Sequence, residues 1–304
     1  MHPWTERQIP SQAHKLVLVT GATSGIGYST ALELARHGAE LILPARNEQN
    51  ATEAATRIRS AVPGARLHTD LLNLSDLDSV RSFVDQFQHR FSGRSLDLLI
   101  NNAGIMGLPR RELTPQGMER QFATNYLGPF LLTALLFPRM RSQAESRIVC
   151  VSSTVARSAT IQLDDLQSER KYLPVGAYAQ SKLALLMFAL TMQRRLLKAK
   201  SPIMSVAAHP GWAATKITRS AGRIQKAMAA LSRGVLQSPA QGAAPILLAA
   251  TDPNVQPGGY YGPGGWKEIR GNPAAVEIPS SAQDEALGEQ LWDETERILG
   301  VRFL

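Results

Sequence analysis

Apolar positions along this chain follow two alternating rhythms. Lys15-Leu16-Val17-Leu18-Val19-Thr20 is a short unbroken apolar run, the pattern of a strand buried on both faces. Behind it Ile26, Thr30, Ala31, Leu34 and Ala35 fall at helical spacing, and Gly38 supplies a C-terminal stop. The exchange of periods then repeats. Strands are predicted at 40–43, 65–70, 96–100, 147–152 and 203–208, with a further one near Gly259-Tyr260-Tyr261. Between them lie a helix ending near Ala61, one opened by Ser75-Asp76-Leu77-Asp78, and a long one opened by Thr114-Pro115. Another, carrying Tyr178, runs to about Lys200, and Ser238-Pro239-Ala240-Gln241 opens the next. Strand–helix alternation of this kind predicts an α/β fold, a doubly wound parallel sheet of about seven strands with helices on both faces. In such sheets ligands bind beyond the carboxyl ends of the strands.

Two late segments stand outside that alternation. Over residues 216–237, Ile217, Ala221, Ile224, Met228, Leu231 and Val235 form an apolar stripe, with Lys216, Arg219, Arg223, Lys226 and Arg233 around it. Over residues 281–304, Leu287, Leu291, Trp292, Thr295 and Leu299 recur at helical spacing, which predicts a C-terminal helix docked on the body or on a partner subunit. No linker-like stretch divides the 304 residues, so one domain over residues 1–304 is expected.

Composition narrows the class. With 44% hydrophobic residues the chain can bury a sizeable core. No secretory signal pattern opens it, and apolar windows such as 183–190 fall short of the roughly 20 residues a membrane span needs. Cys150 is the only cysteine and sits in a strand, so no internal disulfide can form and a reducing, cytoplasmic setting is expected. The six histidines show no ligand spacing, and no metal is expected. A net charge of +8 admits nucleic acid or an anionic membrane, but no dense basic block or RNA-binding signature accompanies it. A solvated basic surface that attracts an anionic cofactor accounts for it.

The chemistry begins at Gly21, Gly25 and Gly27, spaced Gly-x-x-x-Gly-x-Gly between the first strand and its helix. Glycines there let the backbone approach a pyrophosphate, whose charge sits at a helix N-terminus. Far downstream, Tyr178 and Lys182 lie four residues apart and share one helix face. An ammonium beside a phenol favours the phenolate, so the pair reads as an acid/base whose tyrosine has a lowered pKa. Alone, that spacing describes an ordinary helix surface; with the glycine loop it describes a hydride-transfer site. After the second strand comes Ala45-Arg46, where an acidic residue would accept ribose hydroxyls and select NAD. Arg46 can instead meet a 2′-phosphate, or it is a surface arginine at a strand end.

Taken in order, these motifs resemble the short-chain dehydrogenase/reductase family, in its retinol dehydrogenase and protochlorophyllide reductase-like branch, from about Lys15 into the C-terminal region. The resemblance implies a Rossmann-type fold and a cofactor loop including Gly21, Thr23, Ser24 and Ile26. It places Asp70 and Leu71 by the adenine, Asn102, Ala103 and Gly104 in the family's Asn-Asn-Ala-Gly segment, and Pro210, Gly211 and Thr215 on the nicotinamide side. It implies catalytic roles for Asn125, Ser153, Tyr178 and Lys182, with Tyr178 and Lys182 also touching cofactor. Asn125 would kink its helix and anchor a proton relay, while Ser152 would be structural. Ser24 departs from relatives that carry a second basic residue in the loop. Residues 216–237 would form a lid over a greasy pocket near Met106, Leu173 and Trp212, or a basic helix resting on a membrane surface. Tyr172, without a lysine four residues on, reads as a pocket or loop residue.

The expected function is NADP(H)-dependent reduction of a hydrophobic ketone or aldehyde, a ketoreductase with Tyr178 as proton donor. An alcohol dehydrogenase oxidising a retinoid- or steroid-like lipid uses the same residues. A non-catalytic cofactor-binding interaction protein is the third reading. Family habit implies a homo-oligomer through the helices of Asn125 and Tyr178. No nucleic acid and no transmembrane segment is expected, though peripheral membrane contact stays open.

Overall fold

The computed structural model of the protein describes residues 3–213 and 236–304. Its centre is one eight-stranded sheet in the order β3-β2-β1-β4-β5-β6-β7-β8. The strands are β1 (Leu16–Val19), β2 (Glu40–Ile42), β3 (Leu67–His68), β4 (Leu98–Asn101), β5 (Arg147–Val151), β6 (Met204–Ala208), β7 (Tyr260–Pro263) and β8 (Pro273–Ala275). β1 to β7 pair in parallel, and the order reverses between β1 and β4. That reversal opens the crevice in which doubly wound folds bind ligands.

Because side chains alternate along a strand, each strand feeds two cores. Leu16, Leu18, Leu99, Ile148 and Cys150 face one side, where α3 (Leu77–Arg90), α5 (Gly128–Leu136) and α6 (Pro174–Lys198) pack. Val17, Val19, Leu98, Ile100 and Val149 face the other, under α1 (Gly25–Arg36), α2 (Glu48–Ala61) and α7 (Pro239–Thr251). Cys150 is fully buried, and that burial pushes its thiol up to about 12, so it is inert at neutral pH. α6 is long and apolar enough to cross a membrane, but 89% of its apolar window is buried in this fold, which makes it the central core helix.

Several expected elements shift. Thr114-Pro115 does not open a helix. The Thr114 carbonyl accepts the Gly117 N–H at 2.9 Å, Gly117 takes φ +77°, and Leu113 bridges to Glu119. The helix starts later, as α4 (Arg120–Phe122), because the Glu119 carboxylate accepts the Gln121 and Phe122 N–H groups at 2.9 and 2.6 Å. Likewise Asp76, not Ser75, caps α3; the Ser75 hydroxyl is turned to Asn73 Oδ1. Ser238 caps α7 as expected, with Gln241 returning the bond. The sequence pattern predicts about seven strands, and the sheet carries an eighth. It has three residues and begins with proline, which an antiparallel edge strand tolerates.

The chain ends in α8 (Glu285–Leu299), capped by Asp284 and stopped by Gly300 at φ +62°. It docks on the body of its own chain. Leu291, Trp292, Thr295 and Leu299 are buried, and the Thr295 hydroxyl meets the Tyr126 hydroxyl at 2.7 Å. The lid expected at 216–237 lies, up to residue 235, outside the described residues, as does Thr215.

Candidate active site

The residues singled out in the sequence meet at the carboxyl end of the sheet, because each directly follows a strand or lies on a helix packed there. Thr20 ends β1, and its hydroxyl donates to Ile100 O at 3.2 Å while accepting the Asn102 and Ala103 N–H groups at 3.0 Å each. Asn102 Nδ2 donates to Thr20 O at 2.8 Å. These bonds stitch the loop after β4 to the glycine loop. The approach is too close for side chains: a Cβ on Gly21, whose φ is +70°, would lie 2.9 Å from Ala103 Cα, and one on Gly27 would lie 2.3 Å from Asn102 Nδ2.

Thr23, Ser24 and Ile26 are half-buried on this loop. Ser24 is the N-cap of α1, yet its hydroxyl makes no capping bond. A twelve-residue helix whose first-turn amides lack a side-chain cap fits an anionic phosphate. Arg46 is exposed just before Asn47, the cap of α2. Across from it Ala45 bridges to Leu71, which is 48% exposed. Asp70 holds this strand end with its backbone, accepting the Ala45 N–H at 3.0 Å, while its carboxylate pairs with Arg90 at 2.8 Å. Burial dominates the effect of that arginine and raises the Asp70 pKa.

Asn125 sits in a π turn, Ala123–Leu127, between α4 and α5. Its side chain clamps the loop after Gly104: Oδ1 accepts Ile105 N–H at 2.8 Å, and Nδ2 donates to Ile105 O at 2.9 Å and to Ser181 Oγ at 2.9 Å. A Cβ on Gly104 would lie 3.1 Å from Lys182 Nζ and 3.3 Å from Asn125 Oδ1, so these three groups converge on one point.

Tyr178 and Lys182 do share one face of α6, and both are buried. Ser152 and Ser153 follow β5. Ser152 Oγ donates to Lys182 O at 2.8 Å, tying the strand end to α6, whereas Ser153 acts on the Tyr178 phenol, opposing the upward shift of its pKa. Lys182 Nζ donates to Val151 O at 2.8 Å.

One expectation fails here. The phenol is not brought toward neutrality by its lysine. Burial pushes Tyr178 up to about 12, with Ser153 opposing it, and burial draws Lys182 down to about 8. Desolvation of the charged form sets each shift, and neither group is among the causes of the other's. The site therefore presents a phenol that stays protonated at neutral pH.

Pro210 and Gly211 follow β6. Gly211 takes φ +64°, and a Cβ there would lie 2.5 Å from Ile269 O. Gln237 Nε2 donates to Pro210 O at 2.9 Å. Tyr172 is a loop anchor, donating to Leu108 O at 3.0 Å and accepting Gln121 Nε2 at 2.8 Å. Leu173 and Trp212 are 55% and 46% exposed at this end of the sheet.

Sequence reasoning missed Arg157, His209 and Glu268. The His209 ring is fully buried, with Nε2 2.9 Å from Glu268 Oε2, and Arg157 pairs with the same carboxylate at 2.5 Å. Separations of 59 and 111 residues left no local signal. Among the described residues no cluster of His, Cys, Asp and Glu could hold a metal ion.

With this geometry in view, the relatives fall into line. The short chain dehydrogenase family matches residues 15–226, more than half of the chain. Polyprenol dehydrogenase from Mus musculus is 40% identical over 96% of this chain and 86% of its own. Retinol dehydrogenase 13 from Homo sapiens is 36% identical over 94% of this chain and 85% of its own. A crystal structure of an uncharacterized protein from Mycobacterium Paratuberculosis superimposes with a TM-score of 0.83 at 35% identity, covering 100% of both chains. A dehydrogenase/reductase from Sinorhizobium meliloti 1021, at 23% identity and TM-score 0.61 over 79% of this chain and 89% of its own, shares the fold.

Proposed function

Because the chain belongs to the short-chain dehydrogenase family, an oxidoreductase family that uses a nicotinamide dinucleotide, we propose that it is an NADP(H)-dependent enzyme reducing the carbonyl of a hydrophobic ketone or aldehyde. One observation carries the reading: Tyr178 and Lys182 are both buried on one face of α6, with Lys182 Nζ tied to Val151 O and converging with Asn125 Oδ1 on Gly104. A bound nicotinamide dinucleotide supplies the hydride. Ser153 donates a hydrogen bond to the substrate oxygen and holds it at the phenol. Tyr178 gives that oxygen its proton, and the buried setting keeps the proton on the phenol until the oxygen becomes basic. Lys182, fixed to Val151 O, presents its remaining N–H groups toward Gly104 and Asn125. There it binds a ribose hydroxyl and passes a proton toward Tyr178, with Asn125 at the far end of that relay.

The uncapped N-terminus of α1 holds the pyrophosphate, Asp70 and Leu71 border the adenine, and Arg46 takes the 2′-phosphate. Leu173 and Trp212 give the pocket an apolar wall. The relatives' names favour a second reading: polyprenol and retinol dehydrogenases point to oxidation of a long isoprenoid alcohol. The same groups serve it in reverse, with Tyr178 as base.

The test is a parallel titration with NADPH and NADH. Arg46→Ala is expected to weaken NADPH at least about tenfold and leave NADH nearly unchanged. An equal loss for both removes the 2′-phosphate assignment.

A further inference from the structure

The loop carrying Pro210 and Gly211 is held by a chain of hydrogen bonds that begins far from it. Arg157, on the short helical turn after Ser153, grips the Glu268 carboxylate through Nη2 at 2.5 Å and Nε at 3.3 Å. Glu268 Oε2 lies 2.9 Å from His209 Nε2, and His209 Nδ1 lies 3.2 Å from the Gly211 N–H. An ionised carboxylate only accepts, so Nε2 must carry the ring proton. The Gly211 N–H only donates, so Nδ1 must be bare. Both ends of the ring favour the same tautomer, and the carboxylate at 2.9 Å, a charged acceptor, holds it more firmly than the Gly211 N–H at 3.2 Å does alone.

We propose that Glu268 is a positioning residue: it fixes the Nε2–H tautomer of His209, which holds the Gly211 turn and so sets the nicotinamide side of the cofactor site. The fold is shaped around this chain. A Cβ on Gly262 would lie 2.1 Å from His209 Nε2, so glycine alone leaves room for the ring. Lys267 and Glu268 both take left-handed backbone, at φ 48° and 55°, to turn the carboxylate inward. Burial holds His209 below its ordinary pKa, which keeps the ring neutral. Arg157 also donates to Glu277 O at 2.8 Å, which anchors the guanidinium independently of Glu268. The chain thus joins the Ser153 segment to the loop after β6 through one carboxylate.

The inference rests on the proposed cofactor reading, and the experiment separates the two. In ligand-free protein labelled with 15N-histidine, with His209→Asn used only to assign the signal, the ring should show a protonated Nε2 and a bare Nδ1. Glu268→Gln should keep that tautomer, since its amide oxygen still accepts. Glu268→Ala should mix the tautomers and weaken NADPH about tenfold, while 2′,5′-ADP, which has no nicotinamide, binds as before. An unchanged tautomer in Glu268→Ala overturns the proposal, and so does equal loss of NADPH and 2′,5′-ADP, or no loss of either. A wild-type protein that binds neither NADPH nor NADH removes the cofactor reading instead, and the free-protein spectra still decide the hydrogen-bond chain.

Discussion

At the scale of single residues, the site holds one titratable group, the buried Lys182 ammonium, in a state that costs stability at neutral pH. Lys182 is buried and titrates near 8 in the folded chain, against 10.5 when solvated. Between those values the unfolded chain binds the extra proton, so stability rises as pH climbs from about 8 to about 10.5. Tyr178 acts in the other direction, with stability falling from about pH 10 to 12 as the unfolded phenol ionises first. Replacing Lys182 with Met is therefore expected to stabilise the protein at pH 7, by about 1–3 kcal/mol, while removing turnover. Denaturant midpoints at pH 7 and pH 10 check this: the advantage of the variant should shrink at the higher pH. A variant less stable at pH 7 would show that the Val151 bond outweighs desolvation. Tyr178→Phe removes only the hydroxyl and keeps the ring in its slot. It should lower kcat by about 10²–10⁴ while NADPH affinity stays within about twofold, measured by fluorescence titration. Retained turnover would give the proton to another group.

At the scale of elements, what was legible in the sequence depended on whether the deciding bond was local. The β1–α1 unit reads directly from Leu16 to Gly38, because the run, the glycines and the helix stop are contiguous. The same holds for α7, whose Ser238 and Gln241 cap it within one turn. The start of α4 did not read correctly, because Thr114-Pro115 carries every mark of a helix opening. Gly117 turns the chain there, and Glu119, buried beneath Gln167, supplies the real cap. The Gln167 side chain that accepts the Glu119 N–H at 2.7 Å lies 48 residues away, beyond the reach of any local pattern. The π turn around Asn125 is a similar case. The motif marks Asn125 as a candidate site residue, and a kink is expected there. The reason for the kink is tertiary: both polar atoms of the side chain are taken by Ile105 and Ser181. The lysine–tyrosine pair shows the limit at the site itself. Spacing placed both groups on one face, but the sign of the Tyr178 shift depended on how deeply the fold buries them.

At the scale of the whole molecule, the candidate site was legible because topology does the gathering: parallel strands bring loops from residues 20–27, 101–104, 152–153 and 209–211 to one edge. The tail was legible as an amphipathic helix, but not its partner, since an apolar stripe does not say which face it covers. The structure answers with an aromatic cluster. Trp292 stacks on Phe303 at 4.8 Å and meets Phe130 at 5.0 Å and Phe188 at 5.5 Å, while the Arg195 guanidinium covers its ring at 4.5 Å. Phe130 lies on α5 and Phe188 on α6, so this one side chain joins the tail to the helix that follows Asn125 and to the helix that carries Tyr178 and Lys182. Its indole N–H has no partner among the described residues, so its value to the fold is ring packing and the Arg195 contact. Trp292→Ala leaves a large void among rings that cannot close over it, and should destabilise the protein by about 3–5 kcal/mol in denaturant unfolding. Tyr178 and Lys182 lie about two to three turns from Phe188 along α6, so molecules that remain folded should bind NADPH with unchanged affinity. A loss below about 1 kcal/mol would mean that the tail is only laid on the body, and a matching loss of NADPH affinity would mean that it holds the site in register.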